Sequence, residues 1–298
     1  MNPLLQIDAP HALTPGAPAA ALDWRERLER LRAALAAMGR VVVAYSGGVD
    51  SSLVLRVAHE VLGARALGVI GRSDSYAARE LELALAQAAA FGARVEIVAT
   101  GELADPNFRS NPARRCYHCK RELYRRLDEV ARREGAAAVL DGTIADDLAD
   151  FRPGRDAAAE ARVRSPLAEL GFRKRDVRAA AAHYGLASRD KPASPCLASR
   201  IPYGTEITRE NLSMVERGEA LLRELGFADL RLRHHGDLAR IEVPAAEIAR
   251  LAEPGVRERV VAGLKALGYR FVTLDLEGFR SGSLNPPGAG PREPGQGT

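Results

Sequence analysis

The amino-acid sequence predicts an α/β protein, with a doubly wound parallel sheet followed by a smaller C-terminal α+β domain. Three observations support this prediction. Short apolar runs alternate with longer stretches of helical periodicity over the first half of the chain. A glycine turn joins the first run to the next helical stretch, as in the strand–turn–helix units of parallel sheets. From about Thr205 the pattern changes to two helices interleaved with three short strands.

Local sequence predicts each element in turn. Asp23 and Glu26 have the spacing of a capping box, which opens a helix running to about Met38. The three valines at 41–43 predict a buried strand, and apolar residues then recur at helical spacing over 53–62. Further strands are predicted at 66–70, 95–99 and 138–140, and helices at 76–91 and 120–134. In the C-terminal part we expect helices at 209–225 and 256–267 and strands at 230–234, 238–243 and 271–274.

Composition divides the chain into four parts. Residues 1–21 hold four prolines and no continuous apolar core, which predicts a flexible leader rather than a secretory signal. Residues 281–298 are rich in glycine and proline and predict a disordered tail. Between them we expect the parallel-sheet domain at 22–204 and the α+β domain at 205–280.

Charge and apolar content exclude several classes of protein. No apolar stretch approaches the roughly 20 residues of a membrane span, so no membrane partner is expected. A net charge of +4 permits an anionic partner but is too small to demand nucleic acid. Three cysteines, an odd number, do not form a secreted disulfide framework, and we expect a cytoplasmic protein.

The segment Ser46-Gly-Gly-Val-Asp-Ser-Ser52 predicts an anion site. In a strand–glycine turn–helix unit, backbone N–H groups point into the turn and the helix dipole adds positive charge. Gly47 and Gly48 allow a phosphate to approach closely, and the hydroxyls of Ser46, Ser51 and Ser52 are further donors. The alternative is a Gly-Gly turn that only connects a strand to a helix.

This loop lacks the lysine of the kinase-type phosphate loop. It resembles the S-G-G-x-D-S loop of the adenylating ATP pyrophosphatases, the PP-loop superfamily, whose fold is adenine nucleotide alpha hydrolase-like. The resemblance implies that ATP is split here between its α and β phosphates, with Asp50 helping to hold Mg²⁺. Ligands of parallel sheets bind beyond the carboxyl ends of the strands, so Arg72, Gly142 and Thr143 are expected to complete the nucleotide site.

Cys116, Cys119 and Cys196 are the only thiols of the chain. A single C-x-x-C pair is ambiguous among redox, zinc and iron–sulfur roles. Three thiolates would bind three irons of a [4Fe–4S] cluster and leave the fourth iron open to a sulfide. The alternatives are one active thiol with two unrelated cysteines, a redox pair, or zinc with His118 as a fourth ligand.

Cys196 lies in a segment interrupted by Pro192, Pro195 and Pro202, which predicts a rigid loop that displays the thiol. Arg200, four residues further on, is close enough in sequence to favour the thiolate. The alternative for Cys196 is a buried packing residue.

Longer segments resemble one branch of the superfamily. They are Asp141-Gly-Thr143, Asp146-Asp147, Phe151-Arg-Pro-Gly154, Pro195-Cys-Leu-Ala-Ser-Arg-Ile-Pro-Tyr-Gly204, Arg231-Leu-Arg233 and Val272-Thr-Leu-Asp-Leu-Glu-Gly-Phe-Arg-Ser-Gly282. Together they resemble the LarE family of pyridinium-3,5-bisthiocarboxylic acid mononucleotide synthases, over about 23–282. Members of this family help to make the nickel-pincer nucleotide cofactor of lactate racemase and related enzymes.

The LarE resemblance has two implications for the sulfur. One kind of member sacrifices the sulfur of a single cysteine, which matches Cys196 and becomes dehydroalanine. The other kind also has the C-x-x-C pair and carries a [4Fe–4S] cluster that delivers sulfide. This chain has all three thiols and therefore resembles the second kind, with Cys116, Cys119 and Cys196 as cluster ligands.

The resemblance also implies a substrate site. Arg231 and Arg233 alternate along a predicted strand and therefore share a face. The family likeness implies that they bind the substrate phosphate, that Arg200 joins them, and that Glu219 and Glu242 are acidic positions near the sulfur. The alternative for these residues is an ordinary charged outer face.

The predicted function is an ATP-dependent sulfurtransferase that adenylates the carboxylates of pyridinium-3,5-biscarboxylic acid mononucleotide and converts them to thiocarboxylates. Catalysis is assigned to Cys196, Asp50, Glu219 and Glu242, with ATP, Mg²⁺ and a [4Fe–4S] cluster as cofactors and a homo-oligomer expected. The alternatives are a tRNA thiolation enzyme, a single-cysteine sulfur donor, an ammonia-using ligase and a non-catalytic nucleotide sensor. The sequence shows neither a basic–aromatic RNA module nor a glutaminase domain, which disfavours the first and third.

Overall fold

The computed structural model describes residues 22–149, 153–192 and 194–280. The expected leader at 1–21 and tail at 281–298 lie outside the described residues, as do Phe151 and Arg152 of the family motif. The helices are α1 (Trp24–Met38), α2 (Val49–Leu62), α3 (Ala78–Ala90), α4 (Pro106–Arg109), α5 (Arg115–Glu134), α6 (Gly154–Glu160), α7 (Pro166–Glu169), α8 (Lys174–His183), α9 (Arg209–Glu224), α10 (Ile248–Ala252) and α11 (Pro254–Ala266). The strands are β1 (Val41–Ala44), β2 (Ala66–Arg72), β3 (Arg94–Ala99), β4 (Ala138–Leu140), β5 (Arg231–His235), β6 (Leu238–Glu242) and β7 (Phe271–Leu274).

The first four strands form one parallel sheet in the order β3-β2-β1-β4. In its register, Val41 lies opposite both Ala66 and Ala138. All four strands therefore end at one edge, and the loops that follow them share that edge. This architecture, with the smaller C-terminal sheet, confirms the predicted fold class.

Apolar side chains cover both faces of the parallel sheet. Val41 and Val43 pack with apolar residues of α1, α2 and α8, whereas Val42 packs on the opposite face with Leu127 and Val130 of α5. Because successive residues of a strand point to opposite faces, a run of three valines is what a strand covered on both sides requires. The capping box that opens α1 is also present, with Asp23 accepting from the backbone N–H of Glu26 at 2.9 Å.

The second sheet has the order β5-β6-β7. A turn through Gly236 makes β5 and β6 antiparallel, and the crossover through α11 makes β6 and β7 parallel. Its apolar face forms a separate core with α9 and α11. A third apolar cluster joins Phe108, Leu197 and Ile201 to Ile207 and Leu212, and so packs residues from both sides of the boundary predicted at 204/205. That boundary stays a prediction.

Two sequence expectations differ from the structure. Helix α5 begins at Arg115, not near Lys120, so both cysteines of the C-x-x-C pair lie within its N-terminal end. The pair His234-His235 has no matched metal-ligating partners in the sequence and predicts a solvated turn. His234 is instead buried in β5, where its Nδ1 lies 3.1 Å from the Tyr269 hydroxyl. None of the helices within the described ranges combines the length and the apolar character needed to cross a membrane.

Candidate active site

The loop between β1 and α2 is held in a tight turn by its glycines and serines. Gly47 has φ of +70°, and a Cβ there would lie 2.6 Å from the Ala84 Cβ, so no other residue fits without displacement. The Ser51 Oγ accepts from the backbone N–H of Ser46 at 3.2 Å and donates to the Gly48 carbonyl at 3.2 Å. The turn therefore presents the N-terminus of the 14-residue helix α2 at the carboxyl edge of the sheet.

The other predicted members of this loop differ in how accessible they are. Ser52 is fully buried, and its hydroxyl accepts a hydrogen bond from Gln87, so its side chain belongs to the core. Asp50 is partly exposed, and both of its carboxylate oxygens accept from the Lys174 ammonium, at 2.9 and 2.8 Å. Lys174 opens α8, and 124 residues separate it from Asp50. The sequence motifs did not single it out.

The segment after β4 lies against the same loop. A Cβ at Gly142 would lie 2.6 Å from the Ser51 backbone nitrogen, so the glycine lets the two loops touch. Asp141 accepts from the Thr143 hydroxyl at 2.9 Å and from the Ser165 hydroxyl at 2.7 Å, which holds this loop in place. Arg72 ends β2 at this edge and is exposed.

The C-x-x-C pair and Cys196 lie in one neighbourhood. Cys119 and Cys196 both pack against the apolar cluster around Leu197 and Ile201. Burial raises the pKa of Cys119 well above its ordinary value, and the nearby Glu102 and then Cys196 add to this rise. Burial of its thiol, followed by the charge of Cys196, raises the pKa of Cys116 as well, although the residue as a whole is exposed. The thiols therefore interact electrostatically.

Cys196 opens a 3₁₀ turn, Leu197–Arg200, which is anchored on two sides. The Leu197 N–H donates to the Ser75 carbonyl at 2.8 Å, which ties the turn to the loop after β2. Arg200 donates to the Cys196 carbonyl at 3.1 Å and to the Glu219 carboxylate at 2.8 Å. Its guanidinium thus binds the backbone of the turn and a carboxylate of α9.

Asn111 joins the start of α5 to the segment after Cys196. It is fully buried with φ of +54°, and its side-chain amide donates to the carbonyls of Pro202 at 2.8 Å and Thr205 at 3.0 Å. Its amide oxygen accepts from Arg115 at 2.5 Å, and that guanidinium lies 4.5 Å from the ring centroid of Tyr203. The buried hydrogen bonds of Asn111 therefore hold the two cysteine-bearing segments together.

Arginines and carboxylates of the second sheet and of α9 lie beside the Cys196 turn. Arg233 donates to the Ser199 carbonyl at 3.2 Å and to Glu242 at 2.7 Å. Glu242 also accepts from Arg240 at 3.2 Å, and Glu219 accepts from Arg223 at 2.7 Å in addition to Arg200. Both predicted acidic positions are therefore buried and are each bound by two guanidinium groups.

Guanidinium groups outnumber carboxylates among these side chains beside the Cys196 turn. Burial, followed by the repulsion of Arg200, lowers the pKa of Arg231 to about 10. The Arg231 guanidinium lies 4.8 Å from the ring centroid of Phe279 and donates to the Leu230 carbonyl at 2.7 Å. A partly buried excess of guanidinium groups is suited to binding a phosphate or a carboxylate.

The donor groups do not form a ready-made site for a single metal ion. Within 22–149, 153–192 and 194–280, no three His, Cys, Asp or Glu side chains converge closely enough to hold one. Glu219 and Glu242 are each bound by two arginines.

Comparisons with known proteins give relatives over most of the chain. No protein-family model matches it. An uncharacterized protein of Synechocystis sp. is 47% identical over 259 residues, 87% of this chain and 97% of the relative. The pyridinium-3,5-bisthiocarboxylic acid mononucleotide synthase of Lactiplantibacillus plantarum is 44% identical over 256 residues, 86% of this chain and 92% of the synthase. An uncharacterized protein of Methanocaldococcus jannaschii is 26% identical over 242 residues, 81% of this chain and 91% of that relative.

Proposed function

We propose the function of this chain from one premise: it belongs to the family of pyridinium-3,5-bisthiocarboxylic acid mononucleotide synthases. The chain is an ATP-dependent sulfurtransferase that converts the carboxylates of a pyridinium dicarboxylate mononucleotide into thiocarboxylates. The observation that carries this proposal is the 44% identity over 92% of the synthase.

The chemistry needs activation before sulfur transfer. A carboxylate resists attack by sulfide because oxide is a very poor leaving group. A carboxylate oxygen therefore first attacks the α-phosphorus of ATP, and pyrophosphate leaves. The sulfur then attacks the acyl carbon, AMP departs with the original oxygen, and a thiocarboxylate remains. Both steps gain from holding the reactants close together in the correct orientation.

The loop at Ser46–Ser51 is suited to the first step. Backbone N–H groups at the head of α2 and the helix dipole favour a pyrophosphate there. Asp50 would hold Mg²⁺, and the Lys174 ammonium lies 2.8 Å from its carboxylate. When bound, Mg²⁺ neutralises the charge that develops on the phosphates. Lys174 keeps Asp50 oriented before ATP arrives and adds a phosphate-binding charge afterwards.

The arginine group beside the Cys196 turn is suited to the mononucleotide. Arg231 and Arg233 stand on β5, and Arg233 reaches the Ser199 carbonyl of that turn at 3.2 Å. A phosphate bound by these guanidiniums would lie beside the turn that Cys196 opens. Glu219 and Glu242 act in this arrangement by orienting the arginines, since each accepts from two of them.

The sulfur comes from the thiol neighbourhood of Cys116, Cys119 and Cys196. Each thiolate of a [4Fe–4S] cluster binds a different iron, so three thiols in one neighbourhood suit the cluster without converging on a point. When bound, such a cluster supplies an open iron that holds an exchangeable sulfide. The alternative source is the Cys196 sulfur itself, which would leave the polypeptide.

Pyrophosphate release tests the activation step. We expect release that depends on both ATP and the dicarboxylate mononucleotide, and we expect Asp50→Asn to abolish it. Glu258→Ala, an exposed change on α11, is the matched control and should keep the wild-type rate. Wild-type protein that releases no substrate-dependent pyrophosphate would contradict the proposed adenylation.

Intact mass of anaerobically prepared protein separates the two sulfur sources. After turnover, a loss of about 34 Da, one hydrogen sulfide, would show that Cys196 is consumed. An unchanged mass, thiolated product and about four irons per chain are expected for the cluster. Anaerobically reconstituted protein without iron and sulfide would exclude the cluster.

A further inference from the structure

Lys120 is held at a defined position between two parts of the candidate site. It directly follows Cys119 in α5, and it is partly buried. Gly154 at the start of α6 covers its aliphatic stem, since a Cβ there would lie 3.0 Å from the Lys120 Cγ. The stem is therefore packed, and the ammonium has little freedom to swing into solvent.

Within the described residues, the Lys120 ammonium has no carboxylate paired with it. It makes neither an ion pair nor a hydrogen bond with any residue that the structure describes, and it lies 5.6 Å from the centroid of the Tyr124 ring. The other cations along α5 beyond its first turn all pair with carboxylates: Arg121 with Asp105, Arg125 with Glu129, Arg126 with Glu122, Arg132 with Asp128, and Arg133 with Glu96. A partly buried, unpaired cation is costly unless a ligand neutralises it.

The surroundings of Lys120 connect the thiols to the carboxyl edge of the parallel sheet, where the proposed nucleotide loop lies. Tyr124, one turn further along α5, donates to the Asp141 carboxylate at 3.4 Å, and Asp141 leads into Gly142 against the head of α2. The Lys120 ammonium therefore lies one residue along the chain from Cys119 and over the ring of a tyrosine that is hydrogen-bonded to the loop against the head of α2.

We propose that Lys120 binds the oxyanion that passes between the nucleotide loop and the thiols. This inference rests on the proposed function. The oxyanion is either the substrate carboxylate or the α-phosphate of the adenylate, which share the same chemistry. Lys120 takes up no proton and forms no bond. It compensates the negative charge while the carboxylate oxygen attacks phosphorus and pyrophosphate leaves, and again while AMP leaves from the acyl carbon.

The test compares Lys120→Met with Lys120→Arg, with Arg132→Met at an exposed site on the same helix as the control. We expect Lys120→Met to lose about tenfold to a hundredfold in kcat/KM for substrate-dependent pyrophosphate release, the effect of one charged hydrogen bond. Lys120→Arg should recover part of that rate, and Arg132→Met should match the wild type. Iron and sulfide per chain should stay unchanged in all three variants.

The kinetic constants distinguish the two oxyanions. A raised KM for the mononucleotide alone assigns Lys120 to the carboxylate, whereas a lowered kcat or a raised KM for ATP assigns it to the α-phosphate. A wild-type rate of pyrophosphate release in Lys120→Met would overturn the inference. A loss of iron in proportion to the loss of rate would also overturn it, because Lys120 would then act by stabilising the thiolates. If Lys120→Met does not fold, Lys120→Gln takes its place. A wild-type protein without pyrophosphate release refutes the proposed function instead.

Discussion

Replacing Glu219 with alanine is expected to destabilise the protein by about 3–5 kcal/mol, the cost of removing one partner from a buried ion pair. The side chains of Arg200 and Glu219 are each only 2% exposed, and the pair is bidentate, with distances of 2.8 and 3.2 Å. Glu219 also accepts from Arg223 at 2.7 Å. Without this carboxylate, two guanidiniums near Arg231 lose their shared counter-charge.

Thermal unfolding measures this loss. For a protein of this size, 1 kcal/mol corresponds to about 2–4 °C, so the midpoint should fall on the order of 10 °C. Glu258→Ala is the matched control, because it removes an exposed glutamate and should change stability by less than about 0.5 kcal/mol. Glu219→Gln should lie between the two, since it keeps hydrogen-bond acceptance without the charge.

The result also decides how loss of activity in Glu219 variants is interpreted. A midpoint for Glu219→Ala equal to that of Glu258→Ala would refute the reasoning, because the pair would then contribute nothing to folding. A large drop assigns Glu219 a positioning role. Activity would then have to be compared at temperatures where every variant is folded.

Three further predictions concern pH, Lys174 and Asn111. Burial alone would raise the pKa of Glu219, but Arg200 outweighs it and holds the pKa below its ordinary 4.5. The stabilisation that the ionised Glu219 contributes is therefore complete above pH 4.5, and it is lost as the pH falls through the lower pKa of Glu219 in the folded protein. The difference in unfolding midpoint between the wild type and Glu219→Ala should accordingly shrink from about pH 7 to about pH 3. Lys174→Met should reduce pyrophosphate release by about tenfold or more and leave iron content unchanged; an equal rate would contradict its phosphate role. Asn111→Ala should lower the free energy of unfolding by about 1–3 kcal/mol. It should also lower iron content more than pyrophosphate release, because the hydrogen bonds of Asn111 align the two cysteine segments; a parallel loss of both would contradict this.

Sequence reasoning succeeded where local pattern alone specifies structure. Three valines, a Gly-Gly turn and a helical repeat are enough to predict β1, α2 and the tight turn between them, because each depends on residues within one turn or strand. The start of α5 was missed, since its N-cap, Arg114, makes no side-chain capping bond that a sequence pattern would reveal. The burial of His234 was missed because its partner Tyr269 lies in a different element.

Local sequence patterns were sufficient to predict the fold class, the glycine turn between β1 and α2 and, through the longer motifs, the family. The pairing of charges depends on the folded chain. The contact of Lys174 with Asp50 spans 124 residues, Asn111 reaches the segment after Cys196 across more than 90, and Lys120 stands out only because its neighbours on α5 are paired. Ion pairs and buried hydrogen bonds depend on the distance between side chains in the folded chain, and no local periodicity of the sequence encodes that distance.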